Sequence, residues 1–345
     1  MMSAISRLSG QAERVRETDR TRLLLFALDN LIWPILLVAF IAFSVLLPEI
    51  FTEYRNIRFL LYTSAGLGAI TLAEAICLIS GNFDLSVGSV AGFSAMASAL
   101  FLTEIAPGAP GLIGIPVILA VGGTIGFLNG FFIAKFGVNP FLQTLSTLII
   151  FEGGILVLSS QSVYGLPESY LWVGGAEVSV PLLPEMPVAV FAMFGLFVGL
   201  WFFLTKMRFG RAIYAVGGDE ESAAEAGINT DRVVISVFVL SGMLAATGGL
   251  LLTGFNGGTT PTLGTSQLLP AFTAAVIGGI SLFGGRGNVL NALGGVLLLG
   301  TISAGLVMLN VDPQIVQTVN GAVLFAAILL YTFVQRYRER LLSDL

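Results

Sequence analysis

Three carboxylate side chains lie inside or beside long apolar stretches of this sequence. Glu74 and Glu152 fall within such stretches, and Asp84 follows a polar turn after one of them. Ionisable groups inside a bilayer are costly, so they are functional candidates by default. Glu74 has helical spacing with Thr71 and Cys77, and it could pair with a neighbouring helix or border a substrate path. Asp84 could have the same role or cap a helix.

A second polar group covers residues 143–147. Gln143, Ser146 and Thr147 fall on one face of a helix, whereas Glu152 points about 180° away from Gln143 at 100° per residue. We therefore expect Gln143 and Glu152 to have different surroundings.

The composition excludes several kinds of catalysis. The sequence contains no histidine, one cysteine (Cys77) and no GxxxxGK[ST] phosphate loop. Serine–histidine triads, HExxH zinc sites, histidine proton relays and intrachain disulfides are therefore excluded. We predict no catalytic, cofactor or metal site. If ATP drives this protein, another chain must supply the nucleotide site.

The hydrophobic pattern places the chain in a membrane. Hydrophobic residues make up 55% of it, charged residues 11%, and the mean hydropathy is +0.92. A water-soluble core could not bury this much apolar surface. Apolar stretches of roughly spanning length predict an all-α polytopic membrane protein with about ten transmembrane helices. They cover residues 23–47, 57–79, 85–105, 115–136, 141–159, 187–204, 233–254, 268–283, 289–309 and 313–334. The stretch 268–283 is the weakest and could be broken or re-entrant.

The basic residues give these helices a direction. If the amino terminus is cytoplasmic, fourteen of the sixteen basic residues lie inside and only Arg55 and Arg58 lie outside, a strong positive-inside pattern. Both termini are thus predicted to be cytoplasmic. We expect a cytoplasmic segment at residues 1–22, one transmembrane domain at residues 23–334 and a cytoplasmic tail at residues 335–345. The net charge of −5, without a basic patch beyond the loops, predicts no nucleic-acid partner.

Two loops are longer than simple connectors. Residues 160–186 are predicted to lie outside, and Tyr164, Tyr170 and Trp172 fit either a membrane interface or a docking surface for an extracytoplasmic protein.

The second long loop, at residues 206–232, is predicted to lie inside. It contains a short helix that Asp219 caps and Gly227 ends. Small residues such as Ala223 would allow close approach of another surface, so we predict a contact with a partner protein here.

Glycine is abundant and has two uses. Gly88 and Gly92, Gly122, Gly126 and Gly130, and Gly195 and Gly199 have the spacing of closely packed membrane helices. Glycine also interrupts the pattern beside polar residues at 80–86 and 283–288, and paired broken helices of this kind indicate a transport path.

Four ordered runs resemble the permease subunit of ribose-type carbohydrate importers of the ATP-binding cassette class. They are GNFDLSVGSVAGF (81–93), NPFLQTLSTL (139–148), FGRAIYAVGGDEESAAEAGIN (209–229) and AFTAAVIGGISLFGGRGNVLNALGG (271–295). The chain departs from the family pattern at Asp219, where asparagine is usual. It departs again at residues 268–270, where many sugar permeases have an acidic residue followed by leucine and aspartate.

The resemblance implies a paired permease in a prokaryotic inner membrane. Its partners would be two cytoplasmic ATPase subunits, an extracytoplasmic sugar-binding protein and a second permease copy. The match of residues 217–228 to the coupling helix of the family implies ATPase-coupling roles for Gly217, Asp219, Ala223 and Gly227. We expect the path for a ribose-like monosaccharide along Glu74, Asn82, Asp84, Ser86, Gln143 and Thr147.

Other functions stay open from the sequence. A related permease for branched-chain amino acids or nucleosides shares the glycine-rich pattern. A secondary transporter could use Glu74, Asp84 or Glu152 as proton or cation sites. An intramembrane enzyme lacks a visible catalytic set.

Overall fold

The structure, a computed structural model, describes residues 24–180 and 183–343. Its main elements follow the apolar pattern of the sequence. Along the chain they are α1 (Ile32–Leu46), α2 (Tyr54–Ile79), α3 (Val87–Leu100), α4 (Gly114–Phe136), α5 (Pro140–Leu158), α6 (Glu168–Gly175), β1 (Glu177–Val180), β2 (Leu183–Pro187), α7 (Val188–Lys206), α8 (Arg208–Gly218), α9 (Glu220–Glu225), α10 (Thr230–Asn256), α11 (Leu268–Ile277), α12 (Val289–Met308) and α13 (Pro313–Ser343). A π-helical turn, Phe101–Ile105, extends α3, and the 3-10 turn Gly111–Ile113 leads into α4.

The all-α membrane fold is confirmed, whereas the count of ten spans is not. Within the described residues, eight helices are long and apolar enough to cross a membrane. The other two predicted spans, α1 and α11, contain 15 and 10 residues. At about 1.5 Å per residue they fall short of a hydrocarbon core of about 30 Å. Helix α11 ends at Gly278, and Gly279 has a φ of +83°, so the stretch 268–283 is broken as its glycine pair suggested.

Close glycine contacts set the centre of the bundle. A Cβ at Gly130 would lie 2.7 Å from the Ile235 Cα, and Gly122 and Gly126 face the backbone of α10 in the same way. The predicted close packing at these three glycines is therefore confirmed. Within the described part of this chain it is wrong for Gly195 and Gly199, where an added Cβ would meet no atom within 4 Å.

Gly88 and Gly92 also pack as predicted, against the backbone of residues 263–264.

Helix α2 is the most enclosed of the eight long helices, with 89% of its most apolar segment buried, and α13 is the most peripheral, with 11%. The core therefore forms around α2 and α10.

The loops gather at two opposite ends of the bundle. At one end Lys135 pairs with Asp231, and Gly217 lies against Ile79. At the other end Arg58 pairs with Glu177. This second end also carries the antiparallel β1–β2 pair.

The loop at residues 160–186 is a folded structure. Its α6 holds Tyr170, which is completely buried, whereas Tyr164 and Trp172 are exposed. Only the latter two can therefore serve a membrane interface or a partner protein.

The predicted cytoplasmic tail at residues 335–345 is not a separate segment at its start, because α13 continues into it as far as Ser343.

Candidate functional site

The short helix α9 forms as its sequence predicts. The Asp219 carboxylate accepts a hydrogen bond from the Ser222 amide at 2.7 Å, which caps the first turn. Hydrogen bonds from the backbone and side chain of Ser222 lower the pKa of Asp219. Gly227 follows the last turn with a φ of +84°, and its amide donates to the Ala224 carbonyl at 2.9 Å. The Asp219 contact therefore caps the first turn of α9, and the Gly227 contact belongs to a Schellman motif at its last turn.

Ala223 is not the open small residue that the sequence suggested. Its exposed fraction is 4%, and it packs in the largest hydrophobic cluster of the chain. Ala224 and Ala226 are exposed instead. The expectation that Ala223 offers its surface to a partner is therefore wrong, because every third or fourth residue of so short a helix faces its own protein.

A junction of glycines joins the end of α8 to both interrupted segments. The Gly285 amide donates to the Ile79 carbonyl at 2.9 Å, and Gly217 fits against this hydrogen bond. A Cβ at Gly217 would lie 2.8 Å from the Gly285 nitrogen, and one at Gly284 would lie 2.7 Å from the Gly81 Cα. We call Gly81, Gly217, Gly284 and Gly285 the glycine junction. It brings together the predicted coupling loop and the two broken segments.

Tyr214 adds a side-chain contact to this junction. Its hydroxyl donates to the Gly287 carbonyl at 2.8 Å. Helix α8 is thus attached to residues 284–287 by one hydrogen bond and by close backbone packing. The sequence did not single out Tyr214, because its partner lies 73 residues away.

Asp84 is the centre of a buried polar network. One carboxylate oxygen accepts from the Ser86 amide at 3.0 Å and from the Ser86 hydroxyl at 2.5 Å. The other accepts from the Ser241 hydroxyl of α10 at 2.9 Å. The Ser86 oxygen in turn accepts from the Asn129 amide group of α4 at 3.1 Å. All four residues are buried, and each has at least one side-chain hydrogen bond inside the chain.

The network continues from Asn129 into α5. The Asn129 side-chain oxygen accepts from Gln143 at 3.2 Å and from Thr147 at 2.5 Å. Thr144 accepts from the Leu85 amide at 3.1 Å, one residue beyond Asp84. Asp84, Ser86, Gln143 and Thr147 are therefore brought together by a residue that the sequence reading missed. Gln143 is partly exposed and forms the edge of the network.

The other predicted path residues lie outside this network. Asn82 donates to the carbonyl and hydroxyl of Ser80 and closes the turn after α2. Glu74 is 1% exposed and lies beside Asp84. Among the described residues, neither of its carboxyl oxygens has a hydrogen-bond partner. Glu152 is half-buried and lies on α5 nine residues beyond Gln143, so the continuous helix places the two side chains about 180° apart. Their different surroundings stay a prediction.

Asn129 and Ser241 carried a signal in the sequence that was not used. Both are polar residues inside apolar helices, and both stand next to a glycine, Gly130 and Gly242 respectively. A polar residue at a close-packed helix contact is a candidate for an interhelical hydrogen bond.

Comparison with known proteins identifies the class of this bundle. Residues 56–328 match the protein family described as Branched-chain amino acid transport system / permease component. The chain belongs to this family. The match begins in the first turn of α2 and ends about halfway along α13, so it covers both broken segments, the polar network and the loop with α9. The chain is therefore a permease component and not an enzyme.

Curated relatives of this permease component cover nearly its whole length. It is 35% identical over 301 residues to the D-allose transport system permease protein of Escherichia coli (strain K12), covering 86% of this chain and 89% of the relative. It is 36% identical over 296 residues to the ribose import permease protein of Bacillus subtilis (strain 168), covering 86% and 90%. It is 31% identical over 313 residues to the fructose import permease protein of Rhizobium meliloti, covering 88% and 84%. No solved structure matches the chain.

Proposed function

We propose that this chain is the membrane-spanning subunit of an ATP-driven importer and that it carries a monosaccharide. The observation that supports this most directly is the similarity to D-allose, ribose and fructose permeases over more than four fifths of the chain. The expected location is a bacterial inner membrane.

The energy source is assigned to separate ATPase subunits that dock on α9. The sequence has no phosphate loop of its own. Helix α9 exposes Glu220, Glu221 and Glu225 along with Ala224. The ATPase binds this acidic surface of small residues. When the ATPase moves α9, the glycine junction transmits that displacement to the membrane helices. A binding protein would deliver the sugar at the opposite end, where Tyr164 and Trp172 are exposed.

The substrate path is assigned to the contact between two copies of the chain. Asp84, Ser86 and Asn129 are enclosed within one copy, so their network alone leaves no passage. Gln143 is the member with a partly exposed side chain. We assign Gln143 to the wall of the path and the other members to holding α5 in position.

Reconstitution tests this proposal. The permease is placed in liposomes with its ATPase and binding-protein partners, and uptake of labelled ribose, allose, fructose and leucine is measured. ATP-dependent uptake of one sugar is expected. Leucine uptake without sugar uptake would favour the branched-chain amino acid alternative. Uptake by the permease alone in a pH gradient would instead favour a secondary transporter.

A further inference from the structure

A cavity with a mixed polar and apolar lining lies at the end of the bundle that carries α8 and Arg286. It has a volume of about 410 Å³ and is lined by Phe26, residues 28–31, the end of α11, the start of α12 and the second half of α13. Its polar lining includes Asp29, Arg286, Asn288, Asn291, Tyr331 and Arg338. The charge pattern of the sequence places this end at the cytoplasmic membrane surface.

Positive charge in this cavity exceeds negative charge. Arg338 donates to the Asp29 carboxylate at 3.1 Å, which uses the single acidic group of the lining. The Nε of Arg338 is buried without a hydrogen-bond partner. Arg286 is exposed, and among the described residues it has no ion-pair partner. A buried donor and a free guanidinium in one cavity fit an anion with several acceptor oxygens, since guanidinium groups bind phosphate in this way.

An apolar groove lies beside this cavity. It has a volume of about 340 Å³, and Trp33, Phe40, Leu61, Leu297 and Thr301 are among its lining residues. The Trp33 indole donates to the Asn291 side chain at 3.1 Å, so this pair forms the border between the cavity and the groove. From Asn291 to Thr301 the α12 axis extends about 15 Å at 1.5 Å per residue, which runs toward the middle of the membrane.

We propose that the cavity and groove together bind one anionic phospholipid. Its phosphate lies between Arg286 and Arg338, and an acyl chain follows the groove past Trp33. A basic cavity followed by an apolar groove at the cytoplasmic surface has the distribution of charge that such a lipid requires. A soluble phosphate compound shares the headgroup chemistry but has no part that would occupy the groove.

This lipid would contact the second broken segment directly. Arg286 lies next to Gly285 of the glycine junction, and its own carbonyl accepts from the Ser281 amide at 3.0 Å. A phosphate held at Arg286 therefore steadies the surface on which α8 rests. The lipid is thus expected to affect transport as well as binding.

Native mass spectrometry of the purified full chain tests the proposal. The protein is mixed in detergent with phosphatidylglycerol or phosphatidylcholine, and the bound lipid is counted for the wild type and for Arg286→Gln. Arg336→Gln is the matched control, because Arg336 is an exposed residue of α13 that does not line the cavity. The wild type and Arg336→Gln are expected to retain phosphatidylglycerol at least tenfold better than phosphatidylcholine. Arg286→Gln is expected to lose most of this preference.

A second variant tests the groove and separates the two sources of phosphate. Leu297→Trp fills the groove without changing charge, and it should lower phosphatidylglycerol retention while leaving binding of inorganic phosphate unchanged. Equal retention of both lipids by the wild type would overturn the proposal. So would Arg286-dependent binding of inorganic phosphate by a protein that does not select phosphatidylglycerol. Thermal unfolding of each variant within a few degrees of the wild type verifies that it is folded.

Discussion

Gly217→Ala isolates the contact between the coupling loop and the membrane helices. The added methyl carbon would lie 2.8 Å from the Gly285 nitrogen and 2.9 Å from the Ile79 carbonyl carbon. These neighbours are backbone atoms, so no side chain can rotate away. The Gly285–Ile79 hydrogen bond occupies the same space and would have to shift or break.

The expected cost follows from these two effects. Overpacking a tight contact costs about 1–3 kcal/mol, and losing a net hydrogen bond adds about 0.5–1.5 kcal/mol. Together they disfavour the assembled junction by about ten-fold to a thousand-fold, since 1.4 kcal/mol corresponds to a factor of ten. The backbone at Gly217 is helical and can accommodate alanine, so the free-energy cost of the substitution is steric.

The assay compares Gly217→Ala with Gly218→Ala in liposomes that contain the ATPase and the binding protein. A Cβ at Gly218 would meet only the Gly285 Cα, at 4.0 Å, so this neighbouring variant is the control. We expect Gly217→Ala to retain the ATPase during purification and to lose at least 90% of sugar uptake. Gly218→Ala should stay within about twofold of wild-type uptake. Equal uptake by the two variants would refute the reasoning.

Three further variants test other parts of the structure. Asn129→Leu removes the buried hydrogen bonds that Asn129 makes with Ser86, Gln143 and Thr147, so it should destabilise the protein by about 1–3 kcal/mol in thermal unfolding, whereas Thr124→Leu on an exposed face of α4 should not. Glu74→Gln should keep ATP-driven uptake within about twofold of the wild type, because an ATP-driven importer needs no proton transfer. Loss of uptake by Glu74→Gln, together with pH-driven uptake by the wild type, would contradict this expectation. The protection of the Ser222 amide against hydrogen exchange, relative to the rate of an unstructured amide at the same pH, should be full while the Asp219 carboxylate is charged. It should fall as the pH drops through the lowered pKa of Asp219, since a lowered folded pKa stabilises the cap only in the charged form. Asp219→Asn, which caps as well without titrating, should remove this pH dependence.

Local patterns predicted the elements of this fold well. Apolar length identified the eight described helices that are long enough to cross a membrane, and the Asp219 cap and Gly227 stop placed the ends of α9. These features depend on residues within one or two turns of each other. Sequence spacing therefore contains the information that they need.

Long-range contacts were harder to predict. The burial of Ala223 depends on which side of α9 faces the protein, and six residues contain too few apolar positions to indicate that side. Asn129 contacts Ser86 from 43 residues away. The empty space at Gly195 also could not be foreseen, because small-residue spacing permits a close helix contact without supplying the partner.

The glycine junction and the polar network are parts of one continuous connection. Gly81 belongs to the junction, and Asp84, three residues later, anchors the network that reaches Asn129 and Gln143. The intervening residues are fixed at both ends, because Asn82 is bonded to Ser80 and the Leu85 amide is bonded to Thr144. A displacement of Gly217 must therefore either open the junction or move this short segment against α4 and α5. Comparing Gly217→Ala with Gly218→Ala distinguishes two roles for the junction. If the junction transmits displacement to the network, Gly217→Ala lowers uptake while the complex with the ATPase stays assembled. If the junction only packs the bundle, uptake does not fall in an assembled complex.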